Sequence, residues 1–279
     1  MRSVKAQMIS DTVRRLCVEA NYILPQDVRR CISASLKSED WPPARDTLER
    51  IIENYEIAEK KHMPICQDTG VTCVFIEIGQ EVAIEGDLNE AINEGVRLGS
   101  KEGYLRASLV ADPLRRVNTG DNTPAMIYYD IVSGDKLKIT VAPKGFGSEN
   151  MSKIEMLKPS DGVEGVKEFI IRTVEEAGAN PCPPIIVGVG IGGTFDKAAL
   201  LAKKALMRPA DDVNDDSFYA ELEKELLESI NNLGIGPQAF GGKTTALDVK
   251  INTMPTHIAG LPVAVNINCH VARHVSCEL

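Results

Sequence analysis

Three of the seven cysteines stand in short runs of turn-forming residues: Cys66 in PICQDTG, Cys182 in ANPCPP and Cys269 in NINCHVAR. Turns of this kind are where a rigid scaffold presents ligands. Prolines near Cys66 and beside Cys182 restrict the backbone and can hold a thiolate facing a metal. The other four read as packing thiols, with Cys17 and Cys31 in amphipathic helical patterns, Cys73 in a strand pattern and Cys277 close to the last residue. Zinc sites draw on C-x-x-C pairs, which this sequence lacks. Widely separated cysteines suit instead an iron-sulfur cluster with no fourth protein ligand, whose open iron acts as a Lewis acid. Simple burial of each thiol is the competing reading.

Other polar groups point to an anionic guest. The run LRASLVADPLRRVNTGDNTPA sets Arg106, Arg115 and Arg116 beside Asn118, Thr119 and Asn122. Guanidinium forks match carboxylates bidentately, so a small dicarboxylate fits, with surface ion pairing the alternative for Arg115 and Arg116. APKGFGSENMSK offers backbone N–H groups, Lys144, Ser148 and Asn150 to an anion, or is a plain crossover loop. Asp68, two residues after Cys66, could orient a base or bind water beside a metal, or cap its own turn. His257 in MPTHIAGLPVA is a candidate acid or substrate donor. In PPIIVGVGIGGTFDKAALLAKKAL the glycines at 188, 190, 192 and 193 do not spell G-x-G-x-x-G. Tight helix–strand packing explains them more economically than a nucleotide.

These residues need elements to position them. Helical periodicity runs through Val4, Met8, Val13, Leu16 and Ala20, again from Val28 to Leu36, and through Leu48, Ile51, Ile52 and Tyr55. Strand patterns follow at Thr72–Ile78, Ala125–Val132, Leu137–Ala142, Ile185–Val189, Thr245–Ile251 and Leu261–Ile267. Asp87 with Glu90, and Asp161 with Glu164, have capping-box spacing before helical runs. A polar helix is expected from Ser217 to Asn232, stopped by Gly234 and preceded by a solvated acidic loop, Asp211 to Asp216. The fold expected is mixed α/β: a helical N-terminal segment followed by mixed β-sheets flanked by helices. One domain over 1–279 is expected, with 1–60 mainly helical and 61–279 carrying the cysteine turns.

Composition bounds the function. The 31 Lys and Arg against 40 Asp and Glu give a net charge of −9, and no basic stripe is present, so nucleic acid is excluded as the main partner. No apolar run reaches the ~20 residues of a membrane span. The first residues, MRSVKAQMISDTVRRL, lack an apolar core and cleavage site and read as a first helix. An odd cysteine count without paired spacing points to reduced thiols in a cytoplasm.

Taken together, PICQDTG, NTGDNTPA, GSENMSK, NPCPPIIVGVGIGGTFDKAALLAKKAL and MPTHIAGLPVAVNINCHVARH resemble the α subunit of iron-sulfur hydro-lyases of the class I fumarate hydratase and tartrate dehydratase family. The motifs follow the family's order over about residues 60–274. The resemblance implies an oxygen-sensitive [4Fe-4S] cluster with one open iron site, held by Cys66, Cys182 and Cys269. It also implies that Gln67, Asp68, Arg106, a backbone amide near Gly147, and His257 serve the substrate site. In this family the histidine reaches the site of a neighbouring protomer, which implies a homodimeric α core. Single-chain relatives continue into a domain bearing the general base, whereas this sequence stops at Leu279 soon after CHVAR. A separate β subunit and an α2β2 assembly are therefore expected, acting on a small dicarboxylate. The activity implied is reversible hydration of fumarate to L-malate, with dehydration of L-tartrate to oxaloacetate as the alternative. From other classes, a nucleotide-binding oxidoreductase built on Gly188–Gly193 and a non-catalytic scaffold subunit are the rival readings.

Overall fold

The computed structural model describes all 279 residues. The first half of the chain forms β1 (Arg2–Lys5), α1 (Ala6–Tyr22), α2 (Gln26–Ser38), α3 (Pro42–Lys61), β2 (Val71–Gly79), β3 (Val82–Glu85), α4 (Leu88–Glu102), β4 (Met126–Val132) and β5 (Leu137–Lys144). The second half forms α5 (Phe146–Glu149), β6 (Lys153–Leu157), α6 (Gly162–Ala177), β7 (Ile185–Gly192), α7 (Phe195–Ala205), α8 (Ser217–Asn231), β8 (Ala246–Met254), β9 (Leu261–Asn268) and β10 (Val275–Glu278). This is the mixed α/β class the patterns predict. The elements gather into two compact units. Unit 1 comprises Met1–Pro25, Asn54–Phe146 and Arg273–Leu279, and unit 2 comprises Gln26–Glu53 and Gly147–Ala272. The helical first 60 residues thus divide, α1 going to unit 1 and α2 to unit 2.

Unit 1 is built on a four-stranded sheet in the order β10-β5-β2-β4, with β2 parallel to β4 and antiparallel to β5. Val74 and Ile76 of β2 and Leu137, Ile139 and Val141 of β5 alternate onto one face, as the two-residue period of a strand requires. There they meet Ile9, Val13 and Leu16 of α1 and Ile92 and Val96 of α4. The Asp87 carboxylate accepts the Glu90 amide at 2.9 Å, the expected cap of α4. One expectation fails at the N-terminus: Val4 lies in β1, paired in parallel with Ile84 of β3. Helical spacing from Val4 to Met8 is coincidental, because this short strand is specified by its partner rather than by its own sequence.

Unit 2 carries the sheet β6-β9-β7-β8, with β7 parallel to β8 and antiparallel to β9. Ile185, Val187 and Val189 pack with Phe169 and Ile170 of α6 and Leu226 and Ile230 of α8. The intervening glycines face α7. A methyl group on Gly190 would stand 2.1 Å from the Ala198 carbonyl oxygen, and one on Gly188 2.3 Å from that of Ala202. These glycines therefore let a helix lie directly on a strand, as the packing reading requires.

Two local expectations fail in unit 2. Asp161 makes no cap bond to α6; its carboxylate accepts the Lys158 amide at 2.8 Å and closes the preceding single 3-10 turn. The acidic loop is more than solvated surface. Lys250, 1% exposed, donates its ammonium to the Asp212 carbonyl at 2.7 Å and pairs with the carboxylates of Asp212 at 2.8 Å and Asp248 at 2.7 Å. Arg208 bridges Asp212 and Glu223, and Glu223 also accepts the Ile251 amide at 2.6 Å. Burial lifts Asp248 to about 6 against the pull of Lys250. Burial opposes ionisation of Asp212 too, but Arg208 and Lys250 outweigh it and hold that carboxyl below its ordinary range. No helix is long and apolar enough to cross a membrane.

Candidate active site

In unit 1 the CQDTG turn, the LRASL segment and the NTGDNTP segment are knitted together by side-chain bonds to the backbone. Thr69 Oγ1 accepts the Arg106 amide at 3.0 Å, and Asn122 Nδ2 donates to the Arg106 carbonyl at 3.0 Å. The same Asn122 side chain accepts the Ser108 amide at 2.8 Å, and Asn122 is 6% exposed. Arg106 is therefore clamped on both sides of its Cα. Its side chain is exposed and enters no ion pair with the protein, unlike Arg115, which pairs with Asp112 at 3.0 Å. A cation fixed at its base and unsatisfied at its tip suits an arriving carboxylate.

Asp68 links the turn to the glycine-rich loop. Its two carboxylate oxygens accept the Gly70 amide at 3.0 Å and the Phe146 amide at 2.9 Å, and its carbonyl accepts Arg273 Nη2 at 2.6 Å. The turn-capping role is thus present alongside any chemical one. Cys66 is half-buried and Gln67 exposed on this same turn.

In unit 2, Cys182 is exposed and adopts a left-handed backbone with φ of 56°. Cys269 is half-buried at the end of β9. The two turns meet through the next residue, His270, whose Nδ1 lies 3.0 Å from the Cys182 carbonyl oxygen. A carbonyl only accepts, so Nδ1 carries the hydrogen. Gly147 is exposed in the one-turn helix α5, where a Cβ would come within 3.4 Å of the Asn180 carbonyl. The same helix is anchored by Glu149, which accepts Lys203 Nζ at 2.6 Å and Asn266 Nδ2 at 2.8 Å. His257 sits on the exposed β8–β9 turn. Its Nδ1 accepts the Ala259 amide at 3.2 Å, leaving Nε2 as the ring's donor in the neutral form.

The remaining thiols behave as packing groups. Burial pushes Cys17 up to about 12 and Cys31 up to about 11, so neither offers a thiolate at neutral pH. No three His, Cys, Asp or Glu side chains gather closely enough to chelate a single metal ion. A cluster makes a different demand, because its several irons and sulfides take thiolates from positions farther apart than one ion permits. The donor chemistry fits that group: three cysteines on turns, two of them held in neighbouring turns of unit 2.

Sequence reasoning passed over Thr69 and Arg273. Thr69 and Arg273 lie inside motifs already quoted, but backbone clamps leave no signature in residue type. The Asp248–Lys250 pair did leave one, two charges inside an otherwise apolar strand pattern.

Residues 10–278 match the family model described as Fumarate hydratase (Fumerase). The chain belongs to that family. It is 47% identical over 272 residues to the "Putative L(+)-tartrate dehydratase subunit alpha" of Methanocaldococcus jannaschii, covering 95% of each chain. It is also 32% identical over 254 residues to the L(+)-tartrate dehydratase subunit alpha of Escherichia coli strain UTI89, covering 90% of this chain and 84% of the relative.

Proposed function

We propose that this chain is the α subunit of a two-subunit hydro-lyase that reversibly hydrates fumarate to L-malate. The observation that carries the reading is the family match across residues 10–278, which contains every motif described above. Cys66, Cys182 and Cys269 would hold a [4Fe-4S] cluster, which when bound supplies an open iron as Lewis acid to the hydroxyl that enters or leaves. Arg106 pairs with a substrate carboxylate, supported by its clamped backbone and unpaired tip. Gln67 and the amide near Gly147 orient the diacid. Asp68, beside Gln67, assists a proton-removing base carried by the β subunit. His257, on its exposed turn, donates from Nε2 to the site of a neighbouring α protomer in an α2β2 assembly. None of the seven cysteines forms a disulfide, which supports a reducing cytoplasm.

Dehydration of L-tartrate to oxaloacetate is the second reading, favoured by the names of the two relatives. Of the glycines that a nucleotide site would need, Gly188, Gly190 and Gly193 are closed off by α7 and Gly192 by Met254 of β8.

Iron and acid-labile sulfide measured after anaerobic reconstitution test the assignment. About four of each per chain is the expected result for a [4Fe-4S] centre. Negligible iron both in the isolated chain and in the complex with its β subunit overturns the cluster.

A further inference from the structure

Residues 236–241 form a strap across the Cys182 turn, outside the groups assigned to the substrate or the cluster. The strap is closed on itself by the Gly241 amide donating to the Ile235 carbonyl at 3.0 Å. A Cβ on Gly236 would lie 1.7 Å from the Gly241 carbonyl oxygen, so only glycine lets the loop fold this tightly. Its ends are tied by the Gly236 amide to Thr245 Oγ1 at 3.1 Å and by the Phe240 carbonyl to Trp41 Nε1 at 3.0 Å. Between these anchors Gln238 and Ala239 both have left-handed backbones, with φ of 50° and 62°. That conformation is strained for non-glycine residues and persists only where surroundings impose it.

What the strained segment achieves is a double grip on one carbonyl. Gln238 donates to the Pro183 carbonyl through its backbone amide at 2.8 Å and its side-chain Nε2 at 2.7 Å. On the adjoining peptide, His270 Nδ1 donates to the Cys182 carbonyl at 3.0 Å. Gln238 Nε2 and His270 Nδ1 are 3.2 Å apart, two donors side by side on successive carbonyls. The chain of contacts thus runs from Trp41 through the strap to Pro183 and Cys182, and through His270 to Cys269, its immediate neighbour.

We propose that Gln238 and His270 are positioning residues that lock the Cys182 and Cys269 turns together, so that both thiolates are preset for the cluster. This rests on the cluster assignment made above. Cysteines held by hydrogen-bonded supports lose less freedom when they ligate, and partners of this kind govern how tightly a metal centre is retained. The lock works through carbonyl–donor geometry, so it makes a sharp distinction between isosteres. Asparagine places an amide nitrogen where His270 has Nδ1, whereas glutamine places one nearer Nε2.

The test uses the full chain, co-purified anaerobically with its β subunit, and follows the rate of iron release to a ferrous chelator. His270→Gln and Gln238→Asn should release iron about tenfold faster or more, the low end for loss of a supporting hydrogen bond. Asparagine tolerates the left-handed backbone at 238 but is one methylene too short to reach Pro183. His270→Asn should release iron at the wild-type rate. Melting temperature and Trp41 emission, from the only tryptophan, verify that each variant keeps its fold. If one of the two weakening variants does not fold, the other decides. Wild-type release rates in the folded variants, or equal acceleration by His270→Asn and His270→Gln, would overturn the lock. Absence of iron from the wild-type complex would instead overturn the cluster assignment itself.

Discussion

Arg106 and Asp248 show two ways in which a charged side chain can be held ready or held at a cost. Arg106 has its backbone fixed by Thr69 and Asn122 and its guanidinium unpaired. Removing it should cost about 2 kcal/mol or more, roughly 30-fold in kcat/KM, the lower range for truncating one partner of a desolvated charge pair. Arg106→Lys should recover only part of this, because an ammonium cannot reproduce the fork. Steady-state kinetics of the assembled enzyme check both, and unchanged values for Arg106→Ala would remove Arg106 from the site. Asp248 is the opposite case. Its folded carboxyl sits near 6 against an ordinary 3.8, so between those pH values the folded state binds more protons than the unfolded one. Stability contributed by this group therefore falls as pH rises through the window. Asp248→Asn, which cannot titrate, should gain in melting temperature relative to the wild type between pH 4 and pH 6. A difference that stays constant across this range would contradict the assignment. At this scale the turn settings of the three cysteines were legible from residue type and context. The clamps around them were not, because Thr69 and Gln238 act through hydrogen bonds to backbone atoms that any residue supplies.

The pairing of β7 with α7 is the element on which unit 2 depends most visibly. Gly190 brings the strand against the Ala198 carbonyl and Gly188 against Ala202, leaving no space for a side chain. Gly190→Ala should lower stability by about 1–3 kcal/mol or more, the usual cost of overpacking a closed contact. A thermal or denaturant melt measures it, and wild-type stability would mean that α7 is free to move off the sheet. Here the sequence was informative for a physical reason: the V-G-V-G-I-G alternation puts glycines on one face and branched residues on the other. The long strands β2, β5 and β9 were equally plain, since each is buried and rich in branched residues. The short strands β1 and β10 were not, because Arg2–Lys5 and Val275–Glu278 carry a mixture of polar and apolar residues and take their conformation from β3 and β5. Asp161 was misread for a related reason. Its spacing to Glu164 fits a capping box, yet the Lys158 amide three residues earlier claims its carboxylate.

At the scale of the whole molecule, the motifs divide between two units that interleave along the chain. Cys66, Gln67, Asp68 and Arg106 belong to unit 1, and Gly147, Cys182, His257 and Cys269 to unit 2. Their order in the sequence was enough to suggest the family, since long motifs in a fixed order rarely coincide by chance. The interleaving itself could not be read, because Gln26–Glu53 is as helical as the segments that flank it and only its long-range partners assign it to unit 2. Relatives named as α subunits accord with a catalytic assembly completed by a second polypeptide. The isolated chain should therefore show no turnover of either diacid, and activity should appear on adding the β subunit. The most direct measurement is an anaerobic assay of the cluster-loaded α–β complex, with fumarate and L-malate supplied in turn and L-tartrate in parallel. Interconversion of fumarate and L-malate in both directions, dependent on both subunits, is the expected result. A complex with its full complement of iron and sulfide that turns over none of the three diacids would contradict the assignment.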